Sequence, residues 1–390
     1  MSAPELRGLD IVCVGFAEWQ APLWTNQQHL MSRLARRNRV LFIESLGLRR
    51  PTTASADLRR IGRRLRSGLR GPRQIGQVAV LSPLVVPFHG SKLAAAVNRR
   101  VLPFLVRRAL RRLQMGCDIL WGYVPQSEAL LESLQPRLVV YHCVDDIAEQ
   151  KGIDATGFRA AEERFARRAD LVLASAPALA ERMRGLSSNV LYAPNVADHE
   201  LFASALGPGP VDPALEALPH PRIVFTGAIV ATKLDLGLIT ELARLRPHWR
   251  FVLVGPVGPG DPRTDVSALR DRTNIVMPGA RAYGDLPAVL RGADAAFIPY
   301  SQNPLTRSVF PMKVYEYLAA GLPVVSTPLP SLDGVEGIAR ADSAAEMAHC
   351  LDEAIQEGPD LRADRSRRAA LHSWDARMGE IASAIARLAG

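Results

Sequence analysis

Lysine is nearly missing from this sequence. Of 48 basic residues only four, Lys92, Lys151, Lys233 and Lys313, are lysine, and the rest are arginine. Cysteine is as scarce: Cys13, Cys117, Cys143 and Cys350 stand far apart and form no C-x-x-C pair. That pattern argues against a disulfide framework and for reduced, partly buried thiols. No apolar run approaches the ~18–20 residues that span a bilayer. The opening MSAPELRGLD has neither the basic start nor the apolar centre of a secretory leader, so a cytoplasmic protein is expected. No D-x-D occurs, so nothing points to a metal held between carboxylates, and neither metal nor cofactor is expected. Aromatics are 6% of the chain and no nucleic-acid module is recognisable, so nucleic acid is not an expected partner.

What is present is length and apolar content. The chain has 390 residues, 48% of them apolar, enough for a core in each of two domains. LDIVCVG, the helical TNQQHLMSRLARR and RVLFIE make a strand-helix-strand opening. Short strands follow at DILWGYV, LVVYHCV, LVLASA and NVLYAP. The alternation restarts with RIVFTGA, WRFVLVG, NIVMPGA, AAFIPYS and PVVST. Between the two series lies a Gly/Pro-rich stretch. The expected organisation is therefore a first Rossmann-like domain over 1–203, a linker over 204–220, a second domain over 221–370 and a final helix over 371–390 that crosses back. The fold class is α/β, with doubly wound parallel sheets.

The formal charge is +9. Arginine crowds two segments with interspersed apolar residues, 57–73 and 98–115. In the second, Leu102, Leu105, Val106, Leu110 and Leu113 interleave with Arg107, Arg108, Arg111 and Arg112. A solvated cationic face is one reading. The favoured one is a patch on an anionic membrane surface, with the apolar residues inserting.

The segment carrying most chemistry is FPMKVYEYLAAGLPVVST, residues 310–327. Pro311 suits a first helical position and Gly321 a helix end. Lys313 and Glu316 are three apart and share a helix face. Lys313 in the first turn would add an ammonium to the free N–H groups there, a place for a diphosphate. Glu316, expected as a half-exposed cleft carboxylate, has two acceptor oxygens for a vicinal ribose diol. Taken alone, such a pair more often reads as a surface ion pair.

The frame around the pair resembles the GT-B-fold glycosyltransferases, particularly retaining family 4 and bacterial surface-polysaccharide relatives of the teichuronic-acid type. Their donor helix reads P-x-K-x-x-E-x-x-A-x-G-x-P-V-V, as Pro311 to Val325 does. Gly227 to Lys233, GAIVATK, is similar to their G-R-x-x-x-x-K loop, with Lys233 in register. APNVADHELF, ADLVLASAPALAERM and HSWDARMGEIASAIARLAG resemble further stretches of that fold. The resemblance implies two Rossmann-like domains facing each other across a cleft. It implies a nucleotide-sugar donor held by Gly227, Lys233, Gly255, Lys313 and Glu316, the last on the ribose. The two lysines would take opposite sides of one diphosphate.

The sequence departs from that pattern twice. The family's arginine is Ala228, and the first glutamate of E-x7-E is Ser308. Arg307 or Arg281 would have to restore phosphate charge. In the first domain, VVYHCVDD places His142, Asp145 and Asp146 at a strand end, candidates for catalytic work on an acceptor hydroxyl. A capping role for the aspartates is the bland reading. The loop Gly15 to Trp19, including Glu18, follows the first strand and is a candidate acceptor or phosphate loop.

The expected activity is transfer of a sugar from a nucleotide donor to a saccharide or lipid-linked acceptor in envelope polysaccharide or glycolipid synthesis, peripheral on the inner membrane face. Alternatives are a GT-B-fold sugar-nucleotide epimerase and a degenerate, non-catalytic nucleotide- or glycan-binding subunit.

Overall fold

The computed structural model describes residues 5–21, 24–44, 71–83, 92–150, 152–259, 261 and 263–389. The chain divides into two compact units, Met1–Pro194 with Met378–Gly390, and Asn195–Arg377.

The first unit is built on β1 (Asp10–Val14), β2 (Arg39–Ile43), β3 (Arg73–Ile75), β4 (Val78–Leu81), β5 (Ile119–Gly122), β6 (Leu138–Cys143), β7 (Leu171–Ala174) and β8 (Val190–Tyr192). They form one sheet in the order β3-β4-β2-β1-β5-β6-β7-β8. All neighbours are parallel except β3 and β4. β1, β5, β6 and β7 are buried along their whole length. Parallel strands covered on both faces read as continuous apolar runs, which is why they were legible. β3 and β4, at the sheet edge, are too short and too close to the arginine-rich stretch to be read from pattern.

The second unit holds β9 (Arg222–Thr226), β10 (Arg250–Val254), β11 (Ile275–Val276), β12 (Ala295–Ile298), β13 (Val324–Ser326) and β14 (Ile338–Arg340). Their order is β11-β10-β9-β12-β13-β14, parallel throughout. Phe225, Phe251 and Phe297, fully buried on three neighbouring strands, meet edge to face with centroids 5.8 and 6.5 Å apart. The chain winds outward in both directions from β9 and β12. Such a reversal leaves a crevice at the carboxyl ends of the two strands, where ligands bind in open α/β sheets. The first unit has the same reversal between β1 and β5.

The boundary falls earlier than composition indicated. Residues 195–203 belong to the second unit, where the helix His199–Ala203 buries Phe202 against Tyr283, centroids 5.4 Å apart. The Gly/Pro-rich stretch 204–220 is fastened to that unit too. Arg291 donates to the carbonyls of Ser204, Gly207 and Pro210 at 2.7, 3.0 and 2.6 Å. Asp212 is held by Arg281 at 2.6 Å and caps the helix Pro213–Glu216 by accepting from the Ala214 N–H at 2.9 Å. Glycine and proline remove regular structure from this segment, but arginine hydrogen bonds give it one path. The last helix, Trp374–Ala389, begins in the second unit, and from Met378 onward it groups with the first.

The Arg281 hydrogen bond holds the Asp212 carboxyl below the usual carboxylate range. A lowered carboxyl stabilises the fold above its unfolded pKa, and that contribution is lost as pH falls through the folded value. Asp212→Ala should therefore cost about 1–3 kcal/mol at neutral pH, the scale of a hydrogen bond to a charged group. Denaturant titrations should show the cost shrinking below about pH 4. A cost that is constant between pH 3 and 7 would refute the ion pair's role.

Candidate functional site

Beyond β9 and β10 the two chains stay side by side. The Gly227 N–H donates to the Val254 carbonyl at 2.9 Å, Ile229 to Pro256 at 2.9 Å and Gly258 back to Ile229 at 2.9 Å. The approach is so close that a Cβ at Gly255 would stand 1.8 Å from the Gly227 carbonyl oxygen. Gly227 itself has φ +131°, and its open side is taken by Lys313: a Cβ there would lie 3.2 Å from Lys313 Cε. The loop then turns. The Lys233 carbonyl accepts from the Ser301 N–H at 2.8 Å, the Asn303 amide donates to the Thr232 carbonyl at 3.1 Å, and Leu234 makes an antiparallel bridge with Tyr300. Asp235 ends the loop by capping the helix Leu236–Leu245.

Lys313 opens the helix Lys313–Ala319, two residues later than Pro311, because Met312 takes the N-cap. Its ammonium donates to the Tyr300 hydroxyl at 2.9 Å and lies 5.0 Å from the Phe225 ring centroid and 5.1 Å from that of Tyr300. Aromatic faces attract a cation without neutralising it. Among the described residues Lys313 makes no ion pair. Its attachment is thus an aromatic seat and one phenolic oxygen.

Glu316 follows one turn later and is buried, with 6% of its surface exposed. This corrects the half-exposed carboxylate expected from sequence: neighbouring Tyr315, Tyr317 and Leu318 are buried with it. Burial pushes its carboxyl up to about 7, against the opposing charge of Lys313 and a hydrogen bond from Tyr283. The next side chain, Tyr317, ties the helix to the end of β9, its hydroxyl oxygen accepting from the Thr226 N–H at 2.7 Å.

The structure thus gathers Gly227, Gly255 and Lys313 beyond the ends of β9, β10 and β12, with Glu316 one turn further along the helix, and brings the Lys233 backbone to the same place through Tyr300 and Ser301. Tyr300, Phe225, Tyr283 and Tyr317 were not anticipated. The available signal was a tyrosine directly after a buried strand, in Ile298-Pro299-Tyr300. Arg281 is not free to meet a phosphate, because its guanidinium is committed to Asp212 through two bonds of 2.6 and 3.1 Å. Arg307 is exposed at the end of the short helix Pro304–Arg307, with no ion pair among the described residues, and Ser308 behind it is buried.

In the first unit the loop after β1 is held from inside. A Cβ at Gly15 would meet Gln27 Oε1 and the Phe42 ring at 2.4 Å, and Gln27 accepts the Phe16 N–H at 2.9 Å. Trp19 is a packing residue, 4.9 Å from the Phe42 ring, with its N–H on Glu44 at 2.8 Å. The Glu18 carbonyl accepts from Gln28 at 3.1 Å. His142 is buried, stacked on Tyr123 at 4.8 Å and tilted against Trp121 at 5.9 Å. Asp146 is buried and paired with Arg159 at 2.7 Å. In this structure His142 thus lies among aromatic rings and Asp146 beside a guanidinium, surroundings that a strand-end pattern does not reveal. Asp145 is partly exposed.

Comparison with known proteins agrees with this geometry. Residues 220–357, within the second unit, match a family model described as Glycosyl transferases group 1. The chain is 33% identical over 177 residues to TuaH of Bacillus subtilis (strain 168), assigned by name to teichuronic acid biosynthesis as a glycosyltransferase. That match spans 44% of either chain, less than half of the relative's length. In fold the chain is similar to sucrose-phosphate synthase from Thermosynechococcus elongatus, with TM-score 0.69 and 14% identity over 97% of this chain and 99% of that one. It is also similar to Anabaena HepE in complex with UDP and glucose, with TM-score 0.65 and 15% identity over 97% and 99%. The fold is that of the GT-B glycosyltransferases, two Rossmann-like domains.

A carboxyl with a raised folded pKa makes the folded chain bind its proton more tightly than the unfolded chain. Stability therefore falls as pH rises from the ordinary value toward about 7 and is level above that. Glu316→Gln removes this loss. The variant's stability relative to the parent should rise between pH 5 and 8, by up to about 3 kcal/mol at 1.36 kcal/mol per unit. A difference that does not change with pH would show that Glu316 is not desolvated.

Proposed function

We propose that the chain is a nucleotide-sugar-dependent glycosyltransferase acting on a saccharide or lipid-linked acceptor in envelope polysaccharide or glycolipid synthesis. One observation carries the reading. At the switch point of the second sheet stands an ammonium that among the described residues has no carboxylate in contact, seated on Phe225 and Tyr300, one helical turn before a buried carboxyl. Such a cation is complementary to a diphosphate, and the carboxyl one turn on suits the ribose diol of the same nucleotide.

In this reading Lys313 and Lys233 take the diphosphate, with Gly227 and Gly255 leaving room for it beside the backbone. Glu316 accepts from the ribose hydroxyls, and those hydrogen bonds favour its ionised form. Charge on the departing diphosphate grows in the transition state, so fixed cations there accelerate transfer as well as bind. The lysines do this without a metal, in keeping with the lack of any D-x-D. The relative named for teichuronic acid biosynthesis and the neighbour solved with UDP and glucose support the donor class and the envelope setting. Asp145 and the Gly15–Trp19 loop are the acceptor-side candidates. A lipid-linked acceptor would place the protein on the inner membrane face.

Among the described residues no helix is long and apolar enough to cross a membrane. Of the basic segment 57–73, residues 57–70 lie outside the described residues. Attachment would then rest on the helix Lys92–Leu113.

Melting with UDP, GDP and dTDP tests the donor site, since a ligand bound to the folded state alone raises the midpoint. One nucleotide should stabilise the parent, and Glu316→Ala should lose most of that shift with an unaltered fold. Lys233→Ala and Lys313→Ala should lower turnover more than nucleotide affinity, because the charge they meet is larger in the transition state. The double variant should depart from additivity. Sugar-nucleotide conversion without an acceptor would instead indicate an epimerase. A stable complex with no turnover on any acceptor would indicate a binding subunit.

A further inference from the structure

The helix Lys92–Leu113, KLAAAVNRRVLPFLVRRALRRL, contains no acidic residue. Its apolar residues divide sharply. Leu102, Val106, Ala109 and Leu110 are buried in the core of the first unit, at 2, 0, 1 and 6% exposure. These side chains face the core, which corrects the expectation of insertion for Leu102, Val106 and Leu110. Phe104 and Val97 point the other way, at 59 and 39% exposure.

Seven-residue steps carry Val97 to Phe104 and on to Arg111, close to one line along a helix. Arg100, Arg107 and Arg108 stand three or four residues from Phe104, flanking it on the same face. All four of these arginines are exposed, and among the described residues none is ion-paired. The outward face is therefore a large aromatic ring and a valine inside a frame of uncompensated guanidinium groups.

We propose that this face is a membrane-docking surface, with Phe104 as its inserted anchor and Arg100, Arg107, Arg108 and Arg111 on anionic lipid phosphates. The inference rests on the membrane reading above and is independent of the transfer reaction. Charge complementarity selects the occupant: a leaflet of anionic lipid offers phosphates in a plane with hydrocarbon directly behind them. A helix lying in that plane places its arginine heads among the phosphates and its aromatic ring below them. A nucleic acid would meet the charges equally well but leaves Phe104 and Val97 without a partner along the helix.

The test uses the whole chain and sedimentation with vesicles of phosphatidylcholine, with and without 30% phosphatidylglycerol added, a composition of about this order being enough to charge the surface. The parent should bind only the anionic vesicles, and raised salt should release it. Replacing Arg100, Arg107, Arg108 and Arg111 with Gln should weaken partitioning on the order of a hundredfold, and Phe104→Ser about tenfold. Melting temperature should not change, because the buried side of the helix is untouched. In Phe104→Trp, acyl-brominated anionic lipids should quench more fluorescence than in the parent. If Phe104→Ser binds like the parent and the new tryptophan is not quenched, the anchor is refuted while electrostatic attachment stands. If the parent ignores anionic vesicles at low salt, both fall. If duplex nucleic acid binds more tightly than the vesicles at equal salt, the surface belongs to that partner and the proposal is overturned.

Discussion

Among the described residues Lys313 has no carboxylate in contact, and the donor site proposed for the second unit depends on that. An ammonium beside two ring faces and one hydroxyl, none of which neutralises it, keeps its attraction for an anion. Glu316 lies near enough for Lys313 to stabilise its ionised form, yet burial outweighs that help and holds the carboxyl near neutrality. Among the described residues Lys313 meets no carboxylate, and buried Glu316 takes a hydrogen bond from Tyr283. The nucleoside diphosphate of the proposed donor would offer phosphate oxygens to the first and ribose hydroxyls to the second.

The backbone is arranged around the same need. Gly227 and Gly255 bring two strand-end loops into contact that any side chain would prevent, and the space beside Gly227 is where the lysine stem passes. Tyr300 joins the parts. Its backbone pairs with the loop that carries Lys233, while its hydroxyl accepts from Lys313. Tyr317 does the corresponding work for Glu316 by anchoring its helix to Thr226.

The first unit repeats the sheet order and reaches a different result. Several polar groups at its strand ends find partners within the unit. Gln27 and Gln28 serve the β1 loop, Asn26 accepts from Tyr123, Glu44 takes the Trp19 N–H, and Arg159 neutralises Asp146. Glu162, buried beneath Tyr141, is likewise paired with Arg182. The outcome is a hydrogen-bonded frame around the β1 loop. The same wiring therefore supports different roles in the two halves, because fold alone does not set function.

The buried parallel strands were legible in the sequence because burial on both faces leaves an unbroken apolar run. Lys233, Lys313 and Glu316 were legible because their frame resembles a known one and because lysine is otherwise so rare. Long-range pairing was not legible. Nothing local says that Arg281 belongs to Asp212, that Asp146 belongs to Arg159, or that Tyr300 lies under Lys313. Nor does pattern tell which apolar residues of an arginine-rich helix face the core, since Leu102 and Phe104 differ only in the side of the helix they occupy. The sequence by itself determined the sheet-forming segments and the placing of Lys313 and Glu316 one turn apart on one helix, because both depend on residues close together in the chain. Tertiary structure decided which charges are neutralised and which stay available, because that depends on partners brought together from tens of residues away.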